Sequence, residues 1–306
     1  MKNSIIDNFR IVALSLIFIF GTLFNLFVIW VFSCKMKKWT ETRVYMMSLL
    51  ASDCCLLVTI PLRIHAVQNE LHLTSSTCLF FVSSYFMNTY MSIFIVTLIS
   101  VDRYVAIKFP MKARTLRSPK NAAIACGTVF LFLLAMRMYV WFSKFNDDFK
   151  EIVCFRMPLK PPGHLPKSLY DTIFMFCIPL LIVTFCSVEI IRTLKKKDVM
   201  STHEHKMIQK SIYIVCSNFI IFLLCFLPVT IGKIVRFIVH HSNSDCYLQK
   251  NVHDYIYAVT VLSDLNCCLD AVSYYFVATE FWENAALTPK LKLFQRTRDQ
   301  TENTSI

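Results

Sequence analysis

The chain has 306 residues, is 56% hydrophobic and carries only 17% charged side chains, where a soluble domain would sit nearer a quarter. Its formal charge of +12 comes largely from lysines and arginines set between apolar runs. That pattern marks membrane topology rather than nucleic-acid binding, and one multi-span membrane domain is expected instead of two soluble ones.

Seven apolar runs qualify as spans. The first covers about 11–32 and has no charges. It is too long for a secretory h-region and lacks a small-residue cleavage site, so it reads as a true span preceded by a short N-terminal segment, 1–10. The second, about 44–67, holds Asp53, Pro61 and Arg63. The third begins at Cys78, runs uncharged from Leu79 to Val101 and ends in Asp102-Arg103-Tyr104. A helix from Cys78 to Arg103 would be roughly 37 Å long, enough to cross a bilayer. The fourth, about 122–142, contains Arg137, and the fifth, about 170–194, contains Pro179. The sixth, about 206–239, holds Pro228, and the seventh, about 252–278, holds Asp264 and Asp270. A loose extra turn, 280–287, opens a basic tail. The predicted architecture is an all-α seven-helix membrane bundle, 11–279, with a cytoplasmic helix and tail, 280–306.

Loop charge predicts orientation. Lys35, Lys37, Lys38 and Arg43 follow span one; Lys108, Lys112, Arg114, Arg117 and Lys120 follow span three. Lys195, Lys196 and Lys197 lie between spans five and six, while the opposite loops mix signs. By the positive-inside rule the N-terminus is outside and the C-terminus inside. Most of the thirteen cysteines fall within spans and read as small packing residues. Cys78, Cys154 and Cys246 face outward. Cys78 and Cys154 can pair in an oxidising compartment and would pin the loop before span five over the bundle. Cys246 has no obvious partner.

Together these features resemble rhodopsin-like (class A) G-protein-coupled receptors, which sit in the plasma membrane. The resemblance extends to Asn25 in span one, Leu50-Ala51-Ser52-Asp53 in span two, Pro179 in span five and Cys225-Phe226-Leu227-Pro228 in span six. Span seven adds Asp270-Ala271-Val272-Ser273-Tyr274. Phe226 stands where tryptophan is usual, and Ala271 replaces the usual proline. Within the family, Trp39-Thr40-Glu41-Thr42-Arg43, Leu116-Arg117-Ser118-Pro119 and Asn266-Cys267-Cys268-Leu269-Asp270 look like a small subgroup. Its members are linked to kynurenic acid, lysophosphatidic acid and lysophosphatidylinositol. The resemblance implies a small anionic metabolite or lysolipid as ligand. It implies a heterotrimeric G protein of the Gi/o or G12/13 class inside, with arrestin as a further partner. One pocket arginine of the kynurenate type is replaced here by Thr89 and another aligns with Val140, so the anion site has been rebuilt or moved.

Five cations lie toward the outer mouth: Arg63, Arg137, Arg156, Lys233 and Arg236. Arginine suits a carboxylate or phosphate because its planar fork bonds both oxygens. Alternatively these cations snorkel to lipid headgroups or pair with Asp171, Asp254 or Asp264. Tyr85, Phe86, Tyr90, Phe155 and Tyr257 would line the pocket if the family geometry holds. The resemblance places Asp53, Ser92, Asn266 and Asp270 around a sodium ion; the alternative is a carboxylate pair sharing one proton. Ile93, Pro179 and Phe222 match the family's core packing switch, joined by Phe226 and Tyr274, with ordinary core packing as the alternative. Asp102 is expected to hold Arg103 at rest, with Tyr104 beside it, and Met111 to plug a groove on the G protein. No nucleophile–base constellation, metalloprotease motif or phosphate-cradling loop occurs, so an enzyme is not expected and no cofactor beyond that sodium is implied. An ion-coupled anion transporter is the other class, opposed by the odd span number and the lack of an inverted repeat.

Overall fold

The computed structural model describes residues 4–34, 39–143, 151–155, 172–195, 202–242 and 245–271. Its order is α1 (Ser4–Cys34), α2 (Glu41–Gln68), β1 (His72–Thr74), α3 (Ser75–Lys108), α4 (Pro110–Leu116), α5 (Pro119–Ser143) and β2 (Glu151–Val153). A π-helical stretch, Ile173–Cys177, then leads into α6 (Ile178–Lys195), followed by α7 (Thr202–His241) and a helix α8 over 246–271. Among the described residues, α1, α2, α3, α5, the π-helical stretch with α6, and α7 are each long and apolar enough to cross a membrane. In lipid the backbone must satisfy its own hydrogen bonds, and continuous helices do this.

Local chemistry sets the boundaries. Thr40 caps α2, its hydroxyl accepting from the Arg43 amide at 3.3 Å. The Arg43 guanidinium reaches back to donate to the Phe32 carbonyl at 3.0 Å, satisfying one of the last carbonyls of α1. Thr74 caps α3, and Pro110 and Pro119 open α4 and α5, where a missing N–H costs nothing. Pro61 and Pro228 lie inside α2 and α7, and each removes a backbone hydrogen bond there.

Helix α3 is central, packing against α2, α5, α6 and α7. The main core forms around it, with Ile95, Leu133, Phe222 and Phe226 buried together. A second core joins α1, α2 and α8 through Leu14, Ile17, Leu56, Ile60 and Cys267. Two glycines permit close approach, as small residues do between membrane helices. A Cβ on Gly21 would meet Leu57 Cδ2 at 2.9 Å and Cys267 Sγ at 3.2 Å; one on Gly232 would meet Ile256 Cγ1 at 2.9 Å.

The structure lengthens several expected spans. Helix α1 begins at Ser4, so much of the segment expected to precede the bundle is helical. The loop is strapped twice. Strands β1 and β2 pair antiparallel, His72 opposite Val153 and Thr74 opposite Glu151. Cys78 and Cys154 form the disulfide, with Cα atoms 5.5 Å apart. Tyr274, Arg156 and the turn 280–287 lie outside the described residues.

Candidate functional site

A cavity of about 330 Å³ opens among α1, α2, α3, the loop strap, the π-helical stretch, α7 and α8. Of the expected ligand residues, Arg63, Tyr85, Phe86 and Thr89 line it, as do Phe155, Lys233 and Tyr257. Tyr90 joins them, and Ile93, Phe176 and Phe226 contribute deeper surface. Phe155 holds a positive φ of 59° directly after the disulfide, a conformation rare for a bulky residue. That turn brings its ring to the cavity.

The cations divide into distinct roles. Arg63 does not stand free. Its Nη1 and Nη2 donate to Asp264 Oδ1 and Oδ2 at 2.8 and 2.7 Å, and its guanidinium lies 4.6 Å from the Tyr85 ring centre. Both partners are buried, 5% and 1% exposed. This is the carboxylate-pairing alternative, realised with Asp264. Arg137 is not among the cavity's lining residues. It sits 4.8 Å from the Phe86 ring and 5.4 Å from Tyr90, so it packs against the aromatic wall. Arg236 also lies outside the lining. Lys233 remains in it, 5.9 Å from the Phe86 ring centre, with no ion-pair partner among the described residues. Arg10 of α1 is a lining residue that the sequence reading missed. It stacks 4.2 Å from the Tyr257 ring centre and pairs with Asp7 at 3.7 Å. Its helical position one turn beyond Asp7 was the available signal.

Below the cavity, Phe176 stacks on Phe222 at 5.5 Å, and Phe222 meets Phe226 edge-on at 5.6 Å. Ile93 and Phe222 are buried in the same core, and Pro179 is buried at the start of α6. A ligand against Ile93, Phe176 or Phe226 would therefore press on the packing of α3, the π-helical stretch and α7.

Polar residues gather deeper in the bundle. Asn88 Nδ2 donates to Asp53 Oδ1 at 3.0 Å and to Ser52 Oγ at 3.1 Å. Asn266 Nδ2 donates to Asp270 Oδ2 at 2.7 Å. Asp53 Oδ2 and Ser92 Oγ are buried with no hydrogen-bond partner. Such orphaned oxygens are costly, and an all-oxygen donor set fits a hard cation. Asn88 was missed in the sequence, although it lies one turn before Ser92 on α3.

At the other end the expected latch is corrected. Asp102 Oδ1 accepts from Arg117 Nε at 3.0 Å, not from Arg103. Arg117 also pairs with Glu41 at 2.7 Å. Burial opposes the Arg117 charge, but the Asp102 hydrogen bond, with the charges of Asp102 and Glu41, outweighs it and raises its pKa. Arg103 Nη2 instead donates to Thr42 Oγ1 at 3.1 Å. The reason is angular: neighbours on a helix do not face each other, while the turn after α4 carries Arg117 back to the end of α3. Tyr104 meets Phe109 and Phe185 edge-on at 5.8 and 5.6 Å. Met111 is 77% exposed.

The rhodopsin-family model of seven-transmembrane receptors matches residues 24–274. Human (Homo sapiens) G-protein coupled receptor 35 is 36% identical over 276 residues, covering 90% of this chain and 85% of that receptor. Lysophosphatidic acid receptor 6 of Gallus gallus is 30% identical over 301 residues, covering 92% and 93%. Human G-protein coupled receptor 55 is 28% identical over 274 residues, covering 87% and 84%. These relatives are receptors, not enzymes. The chain belongs to the rhodopsin family of seven-transmembrane, G-protein-coupled receptors.

Proposed function

We propose that this receptor, in the plasma membrane with its N-terminus outside, binds a small anionic metabolite or lysolipid and activates a Gi/o or G12/13 protein. One observation carries the reading. Lys233 lines an aromatic-walled cavity with no ion-pair partner among the described residues. A cation at membrane depth is costly unless water, a partner or a ligand meets it. Apolar walls with few placed polar groups suit an acid with an aromatic or acyl body. The name of the lysophosphatidic acid receptor among its relatives points to the same chemistry.

Ligand contact with Ile93, Phe176 and Phe226 would repack Phe222 and let α7 swing about Pro228. Arg103 would then leave Thr42 and meet the G protein, with Met111 seated in its groove; arrestin would use the same face. Asp53, Ser92, Asn266 and Asp270, with Asn88 orienting Asp53, would hold a sodium ion in the resting state. A panel of anionic metabolites and lysolipids, applied to cells reporting each G-protein class, tests this. An acid is expected to drive nucleotide exchange, and Lys233→Ala to weaken its potency. A best agonist that is a cation, or no ligand-dependent exchange at all, would overturn the reading.

A further inference from the structure

The cavity holds three cations from three helices: Arg10 of α1, Arg63 of α2 and Lys233 of α7. Only one is fully committed. Arg63 spends both terminal nitrogens on Asp264 at 2.7–2.8 Å, and both members of that pair are buried. Its charge is matched, and its fork is already filled. Arg10 differs in each respect. Its side chain is 12% exposed and its ion pair with Asp7 is long, 3.7 Å. Asp7 itself is 25% exposed on the side chain and so shares its charge with water. A single contact of that length leaves most of the five N–H donors of the guanidinium unspent. The Arg10 guanidinium carbon lies over the Tyr257 ring, 4.2 Å from its centre, and a ring face attracts the cation without taking any of its five N–H donors.

We infer that Arg10 is an anion anchor of this receptor, taking the acidic group of the ligand together with Lys233, while Arg63 serves to neutralise Asp264. The inference rests on the reading of the cavity as an anion site. It adds the first helix to that site. The ligand then joins α1 to α7 across the cavity, and its apolar body lies along Phe86 and Phe176. Carboxylate and phosphate share the required chemistry: two or more oxygens that accept from a guanidinium edge and an ammonium.

Asp7 supplies a discriminating arm. It competes with the ligand for Arg10, so its neutralisation strengthens binding if Arg10 is an anchor. If Arg10 is only a staple onto Tyr257, the same change leaves binding unmoved.

The experiment uses full-length receptor in lipid nanodiscs. Direct binding is measured with two probes, kynurenic acid and oleoyl-lysophosphatidic acid, and the tighter binder is carried forward. Arg10→Ala is expected to weaken it roughly 10- to 150-fold, the range for a hydrogen bond to a charged group. Arg10→Lys should recover part of that loss, because ammonium keeps the charge without the fork. Asp7→Asn should tighten binding about 1.5- to 5-fold, the scale of a weak ion pair. It also keeps the idea exposed if Arg10→Ala fails to fold. Binding unchanged in both Arg10→Ala and Asp7→Asn, with Lys233→Ala impaired, overturns this inference and leaves the anion reading standing. Wild-type receptor that binds neither acid overturns both.

Discussion

The pair of Arg63 and Asp264 gives the sharpest test of the energetics. Each is buried within the bundle, and two short hydrogen bonds join them in the bidentate geometry of a guanidinium and a carboxylate. Truncating one partner strands the other charge. Breaking such a buried pair costs about 3–5 kcal/mol. At ~1.4 kcal/mol per decade that is roughly a 150- to 4,000-fold shift in the folded population. Arg63→Met and Asp264→Leu should each lower the melting temperature of detergent-purified receptor and reduce surface expression. The double variant should recover most of the loss, because replacing both members of a buried pair with apolar groups is often neutral or stabilising. Arg63→Lys should fall between, keeping charge but losing the fork. The assay is a thermal-melting double-mutant cycle on ligand-free protein, so ligand contacts do not enter. Additive losses in the double variant, or an Arg63→Met receptor that melts with wild type, would refute the coupling.

Three further outcomes are expected. Asp53→Asn should abolish any sodium effect on agonist affinity; equal sodium sensitivity in both proteins would place the ion elsewhere. Arg117→Ala should destabilise the receptor by about 1–3 kcal/mol, because Asp102 and Glu41 lose the guanidinium that ties α2 and α3 to the turn after α4; an unchanged melting temperature would count against that role. Gly232→Ala should destabilise the receptor by about 1–3 kcal/mol through overpacking, since its new Cβ meets Ile256 and Tyr255. Gly127→Ala, with nothing within 4 Å of its Cβ, should be neutral or mildly stabilising, and thermal melting of the two side by side checks the contrast.

The spans were legible because lipid leaves a chain few choices. A crossing needs about twenty apolar residues in a row, and such runs survive in sequence as long uncharged stretches. Their ends were less legible. Asp7 and Arg10 fall in the segment expected to precede the bundle, since a hydropathy reading stops at charge, yet α1 already begins at Ser4. The cavity's aromatic wall followed from the family pattern, and Phe86, Tyr90 and Tyr257 stand in it. Pairings were harder. Arg63 and Asp264 are 201 positions apart, and only the packed bundle selects Asp264 over other acids. Asp102 and Arg103 misled in the opposite way, because adjacency in sequence suggested a contact that helical geometry turns aside. Arg117 reaches Asp102 from 15 positions away, and that approach depends on a turn whose path sequence alone does not fix.

The π-helical stretch Ile173–Cys177 bears on how this gene tolerates changes in length. A π turn accommodates one residue more than an α turn, and each residue of an α-helix advances about 100° around the axis. Loss of one codon within the stretch would let it relax to an ordinary turn. The helix below would keep its register against α3, and Thr172 above would keep its bearing on the cavity. The same one-codon loss a few positions later, inside α6, would rotate one side of that helix against the other by about 100°. Single-residue deletions should therefore be harmless at 173–177 and damaging just beyond, leaving this wall of the receptor with one narrow window where its length can drift.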